Sequence, residues 1–135
     1  MSTSGTLLDA AVTEIIDCVL AIEEFSADDC DYLQRVLSEI VEFGVEYFCL
    51  DDAKVNPQVA LHEFVPSWMK FKELVMILSY NLQDIYDRWA DGKGPLAMHF
   101  TGEEVKKLVV AMFENTSRRA ALLQQLTRRP SVHLS

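Results

Sequence analysis

Several features that mark common protein classes are missing from this 135-residue sequence. No apolar run approaches the roughly 20 residues of a membrane-spanning helix, and the opening residues have neither the basic nor the apolar region of a secretory signal. The three cysteines are far apart and form no Cys-x-x-Cys pair, which is typical of reduced thiols inside the cell. These absences predict a protein of the cytosol or nucleus that does not insert into a membrane.

Sequence patterns typical of catalysis or metal binding are also missing. His62, His99 and His133 have no partner at zinc-ligand spacing, and no Gly-x-Ser-x-Gly motif occurs. We therefore predict no catalytic residue, no cofactor and no metal. A small enzyme whose site assembles only in the folded chain stays as an alternative, and a deep polar pocket with convergent acids and histidines would favour it.

Acidic and basic side chains are unevenly distributed along the chain, whose formal net charge is −9. Residues 1–66 hold fourteen acidic and two basic side chains, whereas residues 67–135 hold seven and ten. The acidic half disfavours nucleic acid and anionic lipid as partners. Either the two halves attract each other within one fold, or each presents a face of different sign to a partner. Because solvated charged faces are common, the first interpretation is favoured.

Four segments have the three- and four-residue spacing of apolar side chains that is typical of amphipathic helices. They predict a compact, mostly antiparallel all-α bundle in one domain, residues 1–129, with helices at about residues 5–25, 27–49, 67–91 and 102–127. Ser26 is a suitable N-cap for the second helix, and Thr101 with Glu104 has the spacing of a capping box before the fourth. Gly44 costs about 1 kcal/mol relative to alanine inside a helix, so we expect a close helix crossing there.

Residues 50–66 are predicted to be a connecting loop, because Asn56-Pro57 and Pro66 prevent a helix from continuing. The loop also contains apolar side chains, so we expect it to pack on the domain. Residues 130–135, which follow Arg129, are predicted to be a disordered tail.

The third predicted helix ends at Asp91-Gly92, where glycine suits the left-handed position after a helix. Gly92, Gly94 and Pro95 are therefore predicted to form a structural turn. The string Gly92-Lys93-Gly94-Pro95 also invites a phosphate-loop interpretation, but the pattern G-x-x-x-x-G-K-[ST] is absent and no strand precedes it. The negative end of the preceding helix dipole disfavours phosphate as well.

This turn and its neighbours resemble a known family. The string Arg88-Trp-Ala-Asp-Gly-Lys-Gly-Pro-Leu-Ala97, then Phe100, Glu104-Val105 and residues 111–121, resemble the C-terminal end of the zeste-white ten family. Residues 4–8, Ser-Gly-Thr-Leu-Leu, and residues 65–74, Val-Pro-Ser-Trp-Met-Lys-Phe-Lys-Glu-Leu, are similar to the segments that precede it there. The resemblance covers roughly residues 4–127, and its first string is specific because it is long and rich in rare residue types.

The resemblance implies a non-enzymatic, helical-rod subunit of tethering complexes. With a Rod-type subunit and Zwilch, family members form a kinetochore complex that recruits dynein–dynactin and Spindly and supports the mitotic spindle checkpoint. With a NAG-type and a RINT-type subunit, they tether Golgi-derived vesicles at the endoplasmic reticulum through SNAREs. A cytoplasmic protein is therefore expected, located at the kinetochore and spindle in mitosis and at the peripheral endoplasmic reticulum membrane in interphase.

Family members are several times longer than this chain, and their N-terminal helices, which contact the RINT-type subunit, have no counterpart here. The sequence therefore leaves open a fragment, an isoform or a complete product, and a free regulatory fragment that competes with the full-length subunit is the alternative function. By analogy with the related yeast tether, the favoured contact is the large Rod- or NAG-type subunit.

Six side chains are candidates for contact with that subunit. Five are expected to be exposed and charged, and the sixth is a tryptophan that serves either as an anchor or, as is more common, in the core: Arg88, Asp91, Lys93, Arg118, Arg119 and Trp89. Arg118 and Arg119 have a second explanation, because basic side chains near the end of the fourth predicted helix offset its negative dipole end.

Overall fold

The computed structural model describes residues 3–51, 61 and 65–127, and all regular structure in that part of the chain is helical. The all-α fold predicted from the sequence is therefore confirmed. Seven α-helices and one 3₁₀ turn follow one another along these residues: α1 Thr3–Leu20, α2 Ala27–Asp51, α3 Trp68–Ile77, α4 Leu82–Trp89, the 3₁₀ turn Ala90–Gly92, α5 Pro95–His99, α6 Gly102–Met112 and α7 Ser117–Thr127.

Helix α3 lies at the centre of the described helices, where it contacts α1, α2 and α5. Four large apolar side chains repeat every three residues along it and are each at most 1% exposed: Trp68, Phe71, Leu74 and Ile77. Burying such a side chain stabilises a fold by about 1.5–3 kcal/mol. Because α3 is only ten residues long, every turn of it contributes to the core.

A side chain of another helix binds the backbone next to each end of α3. At its start, Oδ1 of Asp9 in α1 accepts hydrogen bonds from the amide of Ser67 at 2.8 Å and from its hydroxyl at 2.6 Å. At its end, the buried Cys30 thiol of α2 donates to the carbonyl oxygen of Leu78 at 3.2 Å, and burial raises the pKa of this thiol. Unpaired backbone groups at a buried helix end are costly, so these contacts attach α1 and α2 to α3.

The prediction of one helix over residues 67–91 is wrong, because the structure divides this segment into α3 and α4. Asn81 begins α4 with a capping box: its Oδ1 accepts from the amide of Asp84 at 2.8 Å, and Oδ2 of Asp84 accepts from the amide of Asn81 at 3.0 Å. The Ser79 hydroxyl meanwhile donates to the carbonyl oxygen of Met76 at 2.7 Å. These side-chain contacts replace the helical hydrogen bonds that a continuous helix would make.

The fourth helix, predicted over residues 102–127, is likewise divided, into α6 and α7. Residues 113–116 leave the helix, and the Thr116 hydroxyl then caps α7 by accepting from the amide of Arg119 at 3.2 Å. Asparagine, threonine and serine at positions 115–117 have low helix propensity and compete for backbone hydrogen bonds. The break therefore occurs where the sequence supports a helix least.

The remaining boundaries differ less. Helix α1 ends at Leu20 rather than near Phe25, because the Phe25 amide donates to the carbonyl oxygen of Ala111 at 2.8 Å and holds the connection against α6. Helix α2 begins as predicted and runs two residues beyond the predicted 27–49. Leu61 and Val65 of the predicted loop, residues 50–66, are buried, whereas residues 52–60 and 62–64 lie outside the described residues, as does the predicted tail, residues 130–135.

Gly44 of α2 lies directly against Trp68 of α3, so the close crossing expected from the sequence is confirmed. A Cβ atom added at Gly44 would overlap Cη2 of Trp68 and would lie 3.1 Å from both Cζ2 and Cζ3. The indole is 1% exposed and surrounded by core side chains, so it has little room to move away. The crossing thus requires glycine in spite of its low helix propensity.

We predict that Gly44→Ala lowers the free energy of unfolding by about 1–3 kcal/mol, because the overlap with Trp68 outweighs the roughly 1 kcal/mol gained in helix propensity. Urea denaturation followed by circular dichroism measures this change. Arg35→Ala, at an exposed position of the same helix, is the control and should change stability by less than about 0.5 kcal/mol. A Gly44→Ala protein more stable than wild type would contradict the prediction.

Candidate docking surface

The turn after α4 has a left-handed backbone at three successive residues. The φ angles are 46° at Ala90, 55° at Asp91 and 84° at Gly92. Gly92 has the left-handed backbone predicted for it, but the residue that caps α4 in this conformation is Ala90. Positive φ costs an L-residue roughly 1 kcal/mol, and hydrogen bonds close the turn in compensation. The amide of Lys93 donates to the carbonyl oxygen of Ala90, and that of Gly94 to the carbonyl oxygen of Trp89, both at 3.0 Å.

Gly94 is needed for a different reason, since its φ of −87° suits any residue. A Cβ atom there would overlap the carbonyl oxygen of Arg88 and lie 2.9 Å from its carbonyl carbon. Backbone therefore packs on backbone, and α5 starts immediately afterwards with Pro95 in its first turn, where proline is well tolerated. The structural turn predicted at Gly92, Gly94 and Pro95 agrees with this geometry.

Arg88 forms a two-pronged ion pair with Glu73 of α3. Its Nε lies 2.9 Å from Oε2 of Glu73, and its Nη2 lies 2.9 Å from Oε1. Glu73 is 6% exposed and is the one polar or charged residue that is buried among those described, so it needs a positive partner. The hydrogen bond to Glu73 raises the pKa of Arg88. Tyr80 covers the guanidinium from one side, its ring centroid 5.9 Å away.

Trp89 is 7% exposed and belongs to the hydrophobic core. Of the two roles that the sequence left open for it, anchor or core, the structure places the side chain in the core. An anchor for a partner would require the indole to leave this position.

Arg119 caps the end of α6. Its Nη1 donates to the carbonyl oxygens of Phe113 at 2.8 Å and Val110 at 3.2 Å. A cation at these carbonyls offsets the negative end of the α6 dipole. The dipole explanation given from the sequence therefore applies to Arg119, with one correction: the residue lies in the first turn of α7 and acts on the preceding helix.

The three other candidates, Asp91, Lys93 and Arg118, are exposed. Arg118 lines a shallow groove between α4 and α7, and Tyr86 lines the same groove with half of its surface exposed. Arginine and tyrosine are enriched among the residues that dominate binding at protein interfaces. The structure thus leaves three of the six predicted contact residues accessible and uses Arg88, Trp89 and Arg119 to hold helices together.

Sequence analysis missed the contact between Lys70 of α3 and Glu104 of α6. Nζ of Lys70 lies 2.9 Å from Oε2 of Glu104 and 5.0 Å from the ring centroid of Phe100. The other oxygen of Glu104 accepts from the Thr101 amide at 2.9 Å, which completes the predicted capping box. Burial acts to raise the pKa of Glu104, but the hydrogen bonds from Lys70 and Thr101 outweigh it, so that this pKa is lowered.

The described residues contain neither a cluster of metal ligands nor a membrane-spanning helix. Among residues 3–51, 61 and 65–127, no group of three or more His, Cys, Asp or Glu side chains is placed to hold a metal ion. None of the helices described there is long and apolar enough to cross a membrane. A groove of about 1150 Å³ lies between the end of α1, α6 and α7, and Leu20, Val110 and Leu123 contribute to its mainly apolar wall.

We predict that Arg88→Met lowers the free energy of unfolding by about 2–3 kcal/mol, because it leaves the buried Glu73 carboxylate without its partner. The double variant Glu73→Leu with Arg88→Met should recover most of this loss, since no charge is then buried unpaired. Chemical denaturation of wild type, both single variants and the double variant gives the coupling energy. Additive losses in the double variant would show that the pair is not coupled.

We also predict a pH-dependent role for Glu104. Its pKa is lower in the folded than in the unfolded chain, so it stabilises the fold at neutral pH and loses this contribution as the pH falls below about 4.3. Glu104→Gln should therefore lower stability at pH 7 by about 1 kcal/mol, with a smaller difference at pH 3. Thermal unfolding across this pH range measures the difference. The exposed Glu114→Gln is the control, and an equal effect of both variants at pH 7 would contradict the prediction.

Comparison with known proteins agrees with the resemblance inferred from the sequence. The family described as the ZW10 C-terminal helical domain matches residues 1–126. The proteins named centromere/kinetochore protein zw10 homolog from Mus musculus and Rattus norvegicus are each 43% identical over 125 residues, 90% of this chain and 16% of the relative. The Drosophila melanogaster centromere/kinetochore protein zw10 is 28% identical over 125 residues, 93% of this chain and 16% of its own length.

The chain thus spans about one-sixth of the length of these relatives, 16% in each case. The matched residues include those that form the turn after α4, the Lys70–Glu104 contact and both helix breaks described above, since all lie within residues 1–126. With that coverage, the chain belongs to the family of the ZW10 C-terminal helical domain.

Proposed function

We propose that the chain is a non-enzymatic scaffold domain of a kinetochore subunit that docks a large helical subunit of Rod or NAG type. The family match carries this proposal, because relatives at 43% identity are named as centromere/kinetochore proteins. The proposal is also supported by the polar side chains of the described residues, several of which hold helices of this chain together. Glu73, Arg88 and Arg119 bind other helices of the same chain.

The finer roles come from the resemblance. With a Rod-type subunit and Zwilch, the domain would support the spindle checkpoint and the recruitment of dynein–dynactin at the kinetochore. With NAG-type and RINT-type subunits, it would support SNARE-dependent retrograde transport at the endoplasmic reticulum membrane. Both roles need the same physical property, a rigid helical surface that holds a larger subunit without changing it chemically.

The proposed docking region consists of the turn that carries Asp91 and Lys93 and the groove that Arg118 lines. Asp91, Lys93 and Arg118 are exposed, and the half-exposed Tyr86 adds apolar surface beside Arg118. A large aromatic ring next to an arginine offers both buried area and charge-assisted hydrogen bonds to a partner. Arg119 is less suitable for a binding test, because its substitution would also uncap α6.

The proposal is tested by capture of tagged Rod-type and NAG-type subunits by the purified chain. We expect wild type to retain at least one of them and the variant Lys93→Glu with Arg118→Glu to retain at least tenfold less, since close charge pairs at an interface contribute more than about 1.4 kcal/mol. Lys72→Glu with Lys107→Glu makes the same change in net charge at other positions and should bind as wild type does.

Circular dichroism before each capture confirms that every protein is folded. A folded wild type that retains neither subunit would refute the docking function. If the two double variants lose equal amounts of partner, overall charge rather than the region around Lys93 and Arg118 governs binding, and the proposed location is wrong.

A further inference from the structure

One face of α2 exposes large aromatic side chains to solvent. Tyr32 is 65% exposed and Phe43 is 61% exposed. The two residues are eleven positions apart, so they lie within about 20° of each other around a helix of 3.6 residues per turn. Exposed aromatic residues on one line of a helix are typical of a surface that another protein covers.

Three glutamates lie along the same line. At about 100° per residue, Glu39, Glu42 and Glu46 fall within an arc of about 100° that also contains Tyr32 and Phe43. One exposed basic residue, Arg35, lies in the same arc and is outnumbered by the three glutamates. All three are exposed, and among the described residues no basic side chain lies within ion-pair distance of any of them. We call the face formed by Tyr32, Glu39, Glu42, Phe43 and Glu46 the α2 stripe.

The position of these glutamates is unfavourable for the helix itself. They follow one another on the helix surface, and α2 has no basic residue in its last turn. Like charges three or four positions apart add repulsion, at roughly 0.2–0.5 kcal/mol for each pair. The acids at the start of α2, Asp28 and Asp29, have a structural explanation in the dipole, whereas the glutamates of the α2 stripe have none.

We propose that the α2 stripe docks a basic amphipathic helix of a protein partner, and this inference rests on the proposed scaffold function. Lysine and arginine side chains of such a helix would pair with Glu39, Glu42 and Glu46. Its apolar side chains would cover the rings of Tyr32 and Phe43, over which a guanidinium can also lie. The choice of occupant follows from charge complementarity, because the acidic stripe repels nucleic acid and anionic membranes.

A synthetic 18-residue helical peptide of lysine and leucine, with leucine at positions i, i+4, i+7 and i+11, is the probe. Fluorescence anisotropy measures its affinity for the full chain, and chemical-shift changes in a ¹⁵N-labelled sample locate the binding face. The test variant is Glu39→Lys with Glu42→Lys and Glu46→Lys. The control is Asp17→Lys with Glu24→Lys and Glu114→Lys, which makes the same charge change at exposed positions elsewhere.

We expect the test variant to lose at least tenfold in affinity, on the order of three close charge pairs, and Phe43→Ser to lose several-fold. The control should stay within about threefold of wild type, the size of the long-range charge effect that salt screens. The test variant should remain folded, because lysine and glutamate have similar helix propensities and the three positions are exposed, and thermal unfolding checks this.

Equal losses in the test and control variants, or shift changes centred away from α2, would overturn the proposal. Capture of the Rod-type or NAG-type subunit with the same variants separates the two hypotheses. If wild type and test variant capture the large subunit equally, the scaffold function stands and the α2 stripe is not its docking face. If wild type captures neither subunit, the scaffold function fails whatever the peptide does.

Discussion

The backbone groups at the ends of a buried helix need hydrogen-bond partners. Helix α3, which has ten residues and its side chains in the core, imposes this need on the helices around it. Its flanking groups bind Asp9 of α1 and Cys30 of α2. Its one buried carboxylate, Glu73, binds Arg88 of α4, and Lys70 on its surface binds Glu104 of α6. The apolar side chains of α3 supply the stabilisation, while these four polar contacts connect it to α1, α2, α4 and α6.

The same need recurs at the breaks between the other short helices. Asn81 begins α4, Thr101 begins α6, and Arg119 closes α6 while Thr116 opens α7. At each break, a polar side chain from a neighbouring residue forms a hydrogen bond with a backbone group at a helix end. Polar residues that attract attention as candidates for chemistry or binding are therefore largely occupied within the described chain, which explains why half of the predicted contact residues have structural roles.

Sequence reasoning succeeded where the relevant forces act locally. Apolar periodicity identified the helical segments, the low helix propensity of glycine pointed to the crossing at Gly44, and the spacing of Thr101 and Glu104 indicated their capping box. It failed at the breaks because apolar residues continue in helical register across them, from Leu74 through Leu78 to Leu82. A capping asparagine within such a run is easily missed, although Asn81 and Asp84 have the required spacing.

Contacts between distant residues could not be predicted in this way. Asp9 and Ser67 are 58 positions apart, and Lys70 and Glu104 are 34 apart, so no local pattern links them. The candidate contact residues had the same difficulty, because an arginine that caps a helix and one that faces solvent look identical in sequence. Arg118 and Arg119 are adjacent, yet only the second lies over the carbonyl groups of α6.

The string from Arg88 to Ala97, which led to the family, is largely explained by geometry. Arg88 neutralises a buried acid, Trp89 fills the core, Gly92 has a backbone that other residues adopt at a cost, and Gly94 has no room for a Cβ atom. A protein could exchange its binding partner without altering any of these residues. These four residues of the string thus report how the chain folds, while its exposed Asp91 and Lys93 stay available for contact with a partner.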